Sequence, residues 1–101
     1  MKKTADSAIY SQAARMLRSV AHPARIEIIE LLVAEQSLTV NEIKDRLGLT
    51  QSMTSQHLSV LKTAGIVACD KEANSCHYYI QNKNVLKLLE CVQRCARDQA
   101  G

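Results

Sequence analysis

TVNEIKDRLGLTQSMTSQHLSVLKT, residues 39–63, decides the fold. Thr39 and Glu42 have the spacing of a capping box, in which each side chain satisfies the other residue's backbone N–H at a helix start. Val40, Ile43 and Leu47 supply the buried stripe of that helix, and Gly48 stands where a left-handed residue ends it. Leu49-Thr50 leads into a further helix over about 51–63, with Met53, Leu58 and Leu61 expected to face inward and Gly65 closing it. Two short helices joined by a tight Gly-containing turn, the second with Ser, Thr and Gln at its exposed start, form a helix-turn-helix pattern.

Outward from this pair, Ile9, Ala13, Met16, Leu17 and Val20 recur at helical spacing and predict a first helix over about 8–20. His22-Pro23 interrupts it, because proline suits only the first turn of a helix. Ile26, Ile29, Leu32 and Val33 mark a second helix ending near 34–36. After Gly65 the period changes. Ile66-Val67-Ala68-Cys69, a polar loop over 70–75, and Cys76-His77-Tyr78-Tyr79-Ile80 read as a β-hairpin, a wing over about 66–80. Asn82 can cap a last helix over about 83–97, with Val85, Leu88, Leu89, Val92, Cys95 and Ala96 on its apolar side. The expected fold is mainly α with a small β-hairpin, a single winged helix-turn-helix domain ordered α-α-α-α-β-β-α.

Composition agrees. A chain of 101 residues has room for one domain with a modest core, so part of its apolar surface calls for a partner. Apolar residues are 47% of the chain with no Trp or Phe and three Tyr, which favours helices packed through Leu, Ile, Val and Ala. The net charge of +3 is too small to argue nucleic-acid binding by itself. Its distribution says more: no carboxylate lies between Asp45 and Asp70, while Arg46, His57 and Lys62 do. No apolar run approaches the roughly 18 residues of a membrane span. Met1-Lys2-Lys3-Thr4-Ala5-Asp6 lacks the apolar centre of a signal peptide, so a cytoplasmic protein is expected.

The order of four helices, wing and final helix resembles the ArsR/SmtB family of winged helix-turn-helix repressors over about 14–94. Leu17-Arg18-Ser19-Val20-Ala21-His22-Pro23-Ala24-Arg25 is similar to that family's junction between its first two helices, and Leu49-Thr50-Gln51-Ser52-Met53-Thr54-Ser55-Gln56-His57-Leu58 to its recognition helix. Gly65-Ile66-Val67 and Tyr78-Tyr79-Ile80 are similar to its wing. The resemblance implies a homodimer built from the first and last helices, binding to double-stranded operator DNA, and release when an inducer or a thiol modification is sensed.

A recognition helix enters the major groove by its N-terminal residues, which makes Gln51, Ser52, Thr54, Ser55 and Gln56 candidates for base edges and phosphates. Gln56 stands where the family often has Arg before the His-Leu pair. His57 either meets phosphate or supports the helix, and Lys62 adds positive charge. Lys71, and less directly His77, are candidates to hold a flanking phosphate from the wing. Thr39 offers phosphate a hydroxyl or backbone N–H at a helix N-terminus, against the alternative that it is a cap and nothing else. For all of these the competing reading is an ordinary solvated surface.

Sensing is less determined. The Cys-x-Cys pair that metal-sensing relatives often carry on the first helix of the helix-turn-helix has no counterpart in Ser37-Leu38-Thr39-Val40-Asn41-Glu42. The Asp/His set at the start of the last helix is likewise missing over 81–86. Cys91 and Cys95 share one face of the last helix, and across a dimer axis two such pairs offer four thiolates to a thiophilic metal or to an interchain disulfide; the alternative is plain packing in the dimer seam. Cys69 and Cys76 flank the wing loop, either as a pair open to an oxidant or as two ordinary strand residues. An enzyme is disfavoured because His22, His57 and His77 fall in separate elements and no phosphate loop or nucleophile elbow is present. A winged-helix protein-docking module is the rival, but a docking helix would display apolar anchors where this one displays Gln, Ser and Thr.

Overall fold

The computed structural model describes residues 5–100, with side chains from Ser7 onward, so Met1-Lys2-Lys3-Thr4 at the chain start lies outside the described residues. Helix α1 (Ala5–Val20) starts three residues before the expected position and is followed by α2 (Pro23–Glu35). His22 caps α2: its Nδ1 accepts from the Ala24 N–H at 3.1 Å, while Pro23 occupies a position whose missing N–H costs nothing. Helices α3 (Val40–Leu47) and α4 (Gln51–Thr63) take up the helix-turn-helix. The Thr39/Glu42 capping box is complete at the start of α3, and Gly48 ends that helix at φ 67°, a left-handed angle that a Cβ would strain. Thr50 caps α4 by accepting from the Met53 N–H at 3.1 Å.

The sheet departs from the expected hairpin in two ways. A two-residue strand β1 (Leu38–Thr39) precedes α3 and pairs with the hairpin, making a three-stranded antiparallel sheet of order β1-β3-β2. The hairpin strands β2 (Val67–Glu72) and β3 (Ser75–Ile80) run on through Asp70, Lys71 and Glu72, so the turn is Ala73-Asn74 and the expected six-residue loop is largely strand. Backbone ladder bonds continue through these polar residues because one strand's N–H and C=O groups need the other's whatever the side chains are. Helix α5 (Asn84–Ala100) follows, its first turn capped by Asn82 Oδ1, which accepts from the Asn84 N–H at 3.0 Å.

One core ties these elements together. Ile28, Ile29 and Leu32 of α2 meet Ile43 of α3, Leu58 and Leu61 of α4, and Val67 and Ile80 of the sheet; Val85 and Leu89 bring in the first half of α5. Leu38 is buried, which explains β1: the strand places an apolar side chain in the core and satisfies its backbone on β3. Met53, expected inward, is 45% exposed, and Thr54 takes the inward position beside it. Leu88 and Val92, on the expected apolar side of α5, are exposed in the single chain, as are Ile9, Tyr10 and Leu17 of α1.

Candidate nucleic-acid interface

Helix α4 is held by its inward side. Thr54, His57, Leu58 and Leu61 are all buried, so the helix cannot roll without breaking core contacts. The opposite side is left to solvent and carries Ser52, Ser55, Gln56 and Ser59, with Gln51 in the first turn. These are short donors and acceptors on a rigid rod, the form that base-edge reading requires.

Three of the candidate contact residues have partners within the protein: Thr54 and His57 are buried, and Thr39 is half-buried in its cap. Thr54 is 0% exposed and its hydroxyl donates to the Thr50 carbonyl at 2.8 Å, so it does not reach a groove. Thr39 is occupied on both sides: its N–H donates to Glu42 Oε1 at 2.8 Å, and its hydroxyl accepts from the Glu42 N–H at 3.2 Å. The Thr39 N–H holds the Glu42 carboxyl below its ordinary range, and a carboxylate at that helix start repels phosphate. Thr39 is therefore a cap.

His57 is the third, 8% exposed and turned toward the end of α1 and the start of α2. Arg25 Nε donates to its Nδ1 at 3.2 Å, and Arg25 Nη1 donates to the Ser19 carbonyl at 3.2 Å. The His22 ring lies 4.6 Å away, centroid to centroid, tilted by 54°. One guanidinium thus joins the ends of α1 and α2 to the middle of α4. Burial, the His22 ring and the Arg25 charge all push the His57 pKa down, favouring the neutral imidazole that accepts from Arg25. Helix support is one of the two roles the sequence allows His57, but its partner lies 32 residues away and carries no local signal.

Positive charge is arranged differently from the linear pattern. Arg46 pairs with Glu35 at 3.1 Å and Lys44 with Asp45 at 2.9 Å, exposed pairs that add little stability. Lys62 is exposed in the last turn of α4, about 16 Å along the axis from Gln51, and so lies at a flank. An open groove between α1 and α4 is lined by Arg15, Arg18, Ser59 and Thr63, a pair of cations beside the polar side of α4 that the linear sequence does not reveal. On the wing, Lys71 is exposed opposite Cys76, whereas His77 stands opposite Asp70 with Glu72 at 3.9 Å, a setting that disfavours phosphate.

The four cysteines separate into two kinds. Cys69 and Cys76 are disulfide-bonded across the wing; they occupy diagonal rather than directly opposite positions, since the register pairs Cys69 with Tyr78 and Lys71 with Cys76. Cys91 and Cys95 are exposed free thiols one turn apart on α5. Among the described residues no group of three or more His, Cys, Asp or Glu is placed to hold a metal ion, so a thiolate site at α5 needs a second copy's pair. No helix of the described residues is long and apolar enough to cross a membrane.

Comparison with known proteins agrees with this geometry. The profile of the family described as bacterial regulatory protein, arsR family, matches residues 22–68, from the α2 cap into β2. The HTH-type transcriptional regulator Rv0081 of Mycobacterium tuberculosis is 38% identical over 85% of this chain and 75% of its own. Its crystal structure superposes with a TM-score of 0.76 at 36% identity, covering 92% of this chain and 97% of that one. The transcriptional activator HlyU of Vibrio cholerae is 33% identical over 83% of this chain and 77% of its own. A homodimeric winged helix-turn-helix DNA-binding domain, Mb0332 of Mycobacterium bovis, gives a TM-score of 0.85 at 27% identity, covering 98% of this chain and 91% of that one. With its capped helix-turn-helix, its three-stranded wing sheet and these relatives, the chain belongs to the arsR family of bacterial regulatory proteins.

Proposed function

We propose that this protein is a sequence-specific double-stranded DNA-binding transcription regulator that acts in the cytoplasm as a homodimeric repressor. The observation that supports it best is the construction of α4. A buried side anchored by Thr54, His57, Leu58 and Leu61 fixes the helix, and Gln51, Ser52, Ser55 and Gln56 project from its N-terminal half with no carboxylate among them. That half enters the major groove, Gln51 and Gln56 being able to make paired contacts to adenine edges. Lys62 and Lys71 neutralise flanking phosphates, and Arg15 and Arg18 supply further charge beside α4.

Dimerisation rests on the apolar residues left uncovered at the two ends of the chain. Ile9 and Tyr10 of α1 are 60% and 70% exposed, and Leu88 and Val92 of α5, on the same apolar side as the buried Val85 and Leu89, are left 38% and 50% exposed. A second copy covers these helices about a two-fold axis, and the two α4 helices then read half-sites about 10 base pairs apart, a spacing that a near-palindromic operator supplies. The docking-module alternative is weaker, because Met53 is the only large apolar residue exposed on α4.

The test is a fluorescence-anisotropy titration of the reduced protein into a duplex carrying its own upstream region, at two salt concentrations, with sedimentation analysis of the free protein. Tight, salt-sensitive binding that beats a scrambled duplex, from a dimer, is expected. A monomer with no preference between the duplexes would overturn the reading and favour docking to a protein.

A further inference from the structure

We propose that the Cys69–Cys76 pair is a reversible dithiol–disulfide site, oxidised by a peroxide, whose state sets the order of the wing tip and through it the grip of the wing on DNA. The second half of this inference rests on the operator-binding reading above; the first half does not.

The wing has two parts. Its base is fixed: Val67 and Ile80 are buried in the core, and β1 pairs onto β3 through Leu38↔Tyr78 and Thr39↔His77. Its tip has no such support. Every residue from Asp70 to Ser75 is exposed, so apart from the Glu72–His77 contact at 3.9 Å this segment is held by the ladder between β2 and β3 and by no buried side chain. The turn is also a poor one. Ala73 sits at φ 58°, a left-handed angle that two-residue hairpin turns ordinarily give to Gly, Asn or Asp. A hairpin end with an unfavourable turn and no packed side chains frays readily.

The cysteines stand at the border between these parts. The register puts them at diagonal positions on one face, with Cα atoms 5.7 Å apart, inside the span that a disulfide bridges without backbone movement. Both residues are half-buried, which leaves the sulfurs within reach of a small oxidant. The bond closes residues 69–76 into a covalent ring that contains Lys71 and the Ala73-Asn74 turn. In a compartment that keeps thiols reduced, a disulfide in a regulator is a transient, signalling one.

The chemistry balances with hydrogen peroxide as the two-electron oxidant. One thiolate attacks the O–O bond, forming a sulfenic acid and releasing hydroxide, which a proton converts to water. The second thiol attacks the sulfenic sulfur, forming the S–S bond and expelling a second water. Both sulfurs are oxidised and peroxide is reduced to two waters; a dithiol reductant reverses the state by exchange. Closing the ring pre-orders the tip, so that Lys71 meets its phosphate without first being ordered, and oxidation tightens operator binding by roughly three- to tenfold.

The full-length protein is treated with dithiothreitol or with hydrogen peroxide, alkylated and digested, and the peptides are weighed. Hydrogen exchange over residues 70–75 and operator titrations follow on both forms and on the double variant Cys69→Ser/Cys76→Ser. Expected is a 69–76 cross-link formed by peroxide and removed by dithiothreitol, slower exchange at the tip when it is present, tighter operator binding of the oxidised wild type, and a double variant that behaves as the reduced form under both treatments. Cysteines that stay alkylatable after peroxide, a cross-link that leaves tip exchange unchanged, or equal affinities of the two forms would overturn the proposal. If neither form prefers the operator, the operator-binding reading fails together with the claim about grip, and the mapping and exchange data still decide the switch itself.

Discussion

Replacing Arg25 by Met keeps an apolar stem and removes the guanidinium that joins three helices. Two bonds are lost, Nε to His57 Nδ1 and Nη1 to the Ser19 carbonyl, each at 3.2 Å. Charge-assisted bonds contribute about 1.5 to 3 kcal/mol when short and buried; these are long and Arg25 is half-buried, so about 1 kcal/mol each is the fitting value. The imidazole left without its donor adds to the cost, giving a loss of about 2 to 3 kcal/mol. For a chain of about 100 residues that corresponds to a fall in Tm of roughly 8 to 20 °C, measured at one fixed protein concentration because an oligomer's Tm depends on it. Arg25→Lys, with one donor centre in place of a fork, recovers at most part of the loss. The thermal melts are followed by operator titrations well below the variant's Tm, where a loosened α4 weakens specific binding more than binding to a scrambled duplex. A variant with wild-type Tm and wild-type specificity would refute the claim that Arg25 and His57 position the recognition helix.

Four further outcomes follow from the same geometry. Thr54→Val removes only the bond from the hydroxyl to the Thr50 carbonyl, so denaturant titration should show a loss of about 1 kcal/mol while operator discrimination stays unchanged. His57 has a folded-state pKa depressed below its ordinary 6.5, so the unfolded chain binds the proton more readily; the stability this group contributes is present above about pH 6.5 and is lost as pH falls through the folded value. Denaturation at a series of pH values should therefore show an acid-side loss that a His57→Gln variant lacks. Lys71→Ala should weaken binding to all duplexes alike and reduce the slope of log affinity against log salt by about one. Gln51→Ala should lose sequence preference rather than charge-driven affinity.

Much of the fold is legible because helix ends carry local chemistry. Thr39 with Glu42, Gly48, Pro23 and Asn82 each mark a boundary through a bond or a φ angle that the residue type itself favours, and α3 and α4 run over Val40–Leu47 and Gln51–Thr63 between such marks. What escapes depends on partners distant in sequence. Strand β1 is two residues long and exists because β3 lies beside it, so no periodicity announces it. The wing strands extend through Asp70, Lys71 and Glu72, residues that read as loop, because ladder bonds belong to the backbone.

At the candidate site the exposed polar run of α4 is readable, but its inward members are not separable from it. Thr54 looks like a groove contact until its hydroxyl is seen to satisfy itself on the preceding turn, which lets a polar side chain sit where Met53 was expected. Arg15 and Arg18 come next to α4 only through the packing of α1. The wing cysteines are visible as a flanking pair, while their diagonal placement requires the register.

The function of this chain turns on whether the start of α4 reads base pairs. The most direct measurement is the difference in affinity between the operator duplex and a scrambled one, for the wild type and for Gln51→Ala at the same salt concentration. The expected result is a wild-type preference that shrinks by roughly 1 to 3 kcal/mol in the variant, with scrambled-duplex affinity unchanged. A wild-type protein that binds both duplexes equally, or a variant that keeps the full preference, would contradict it.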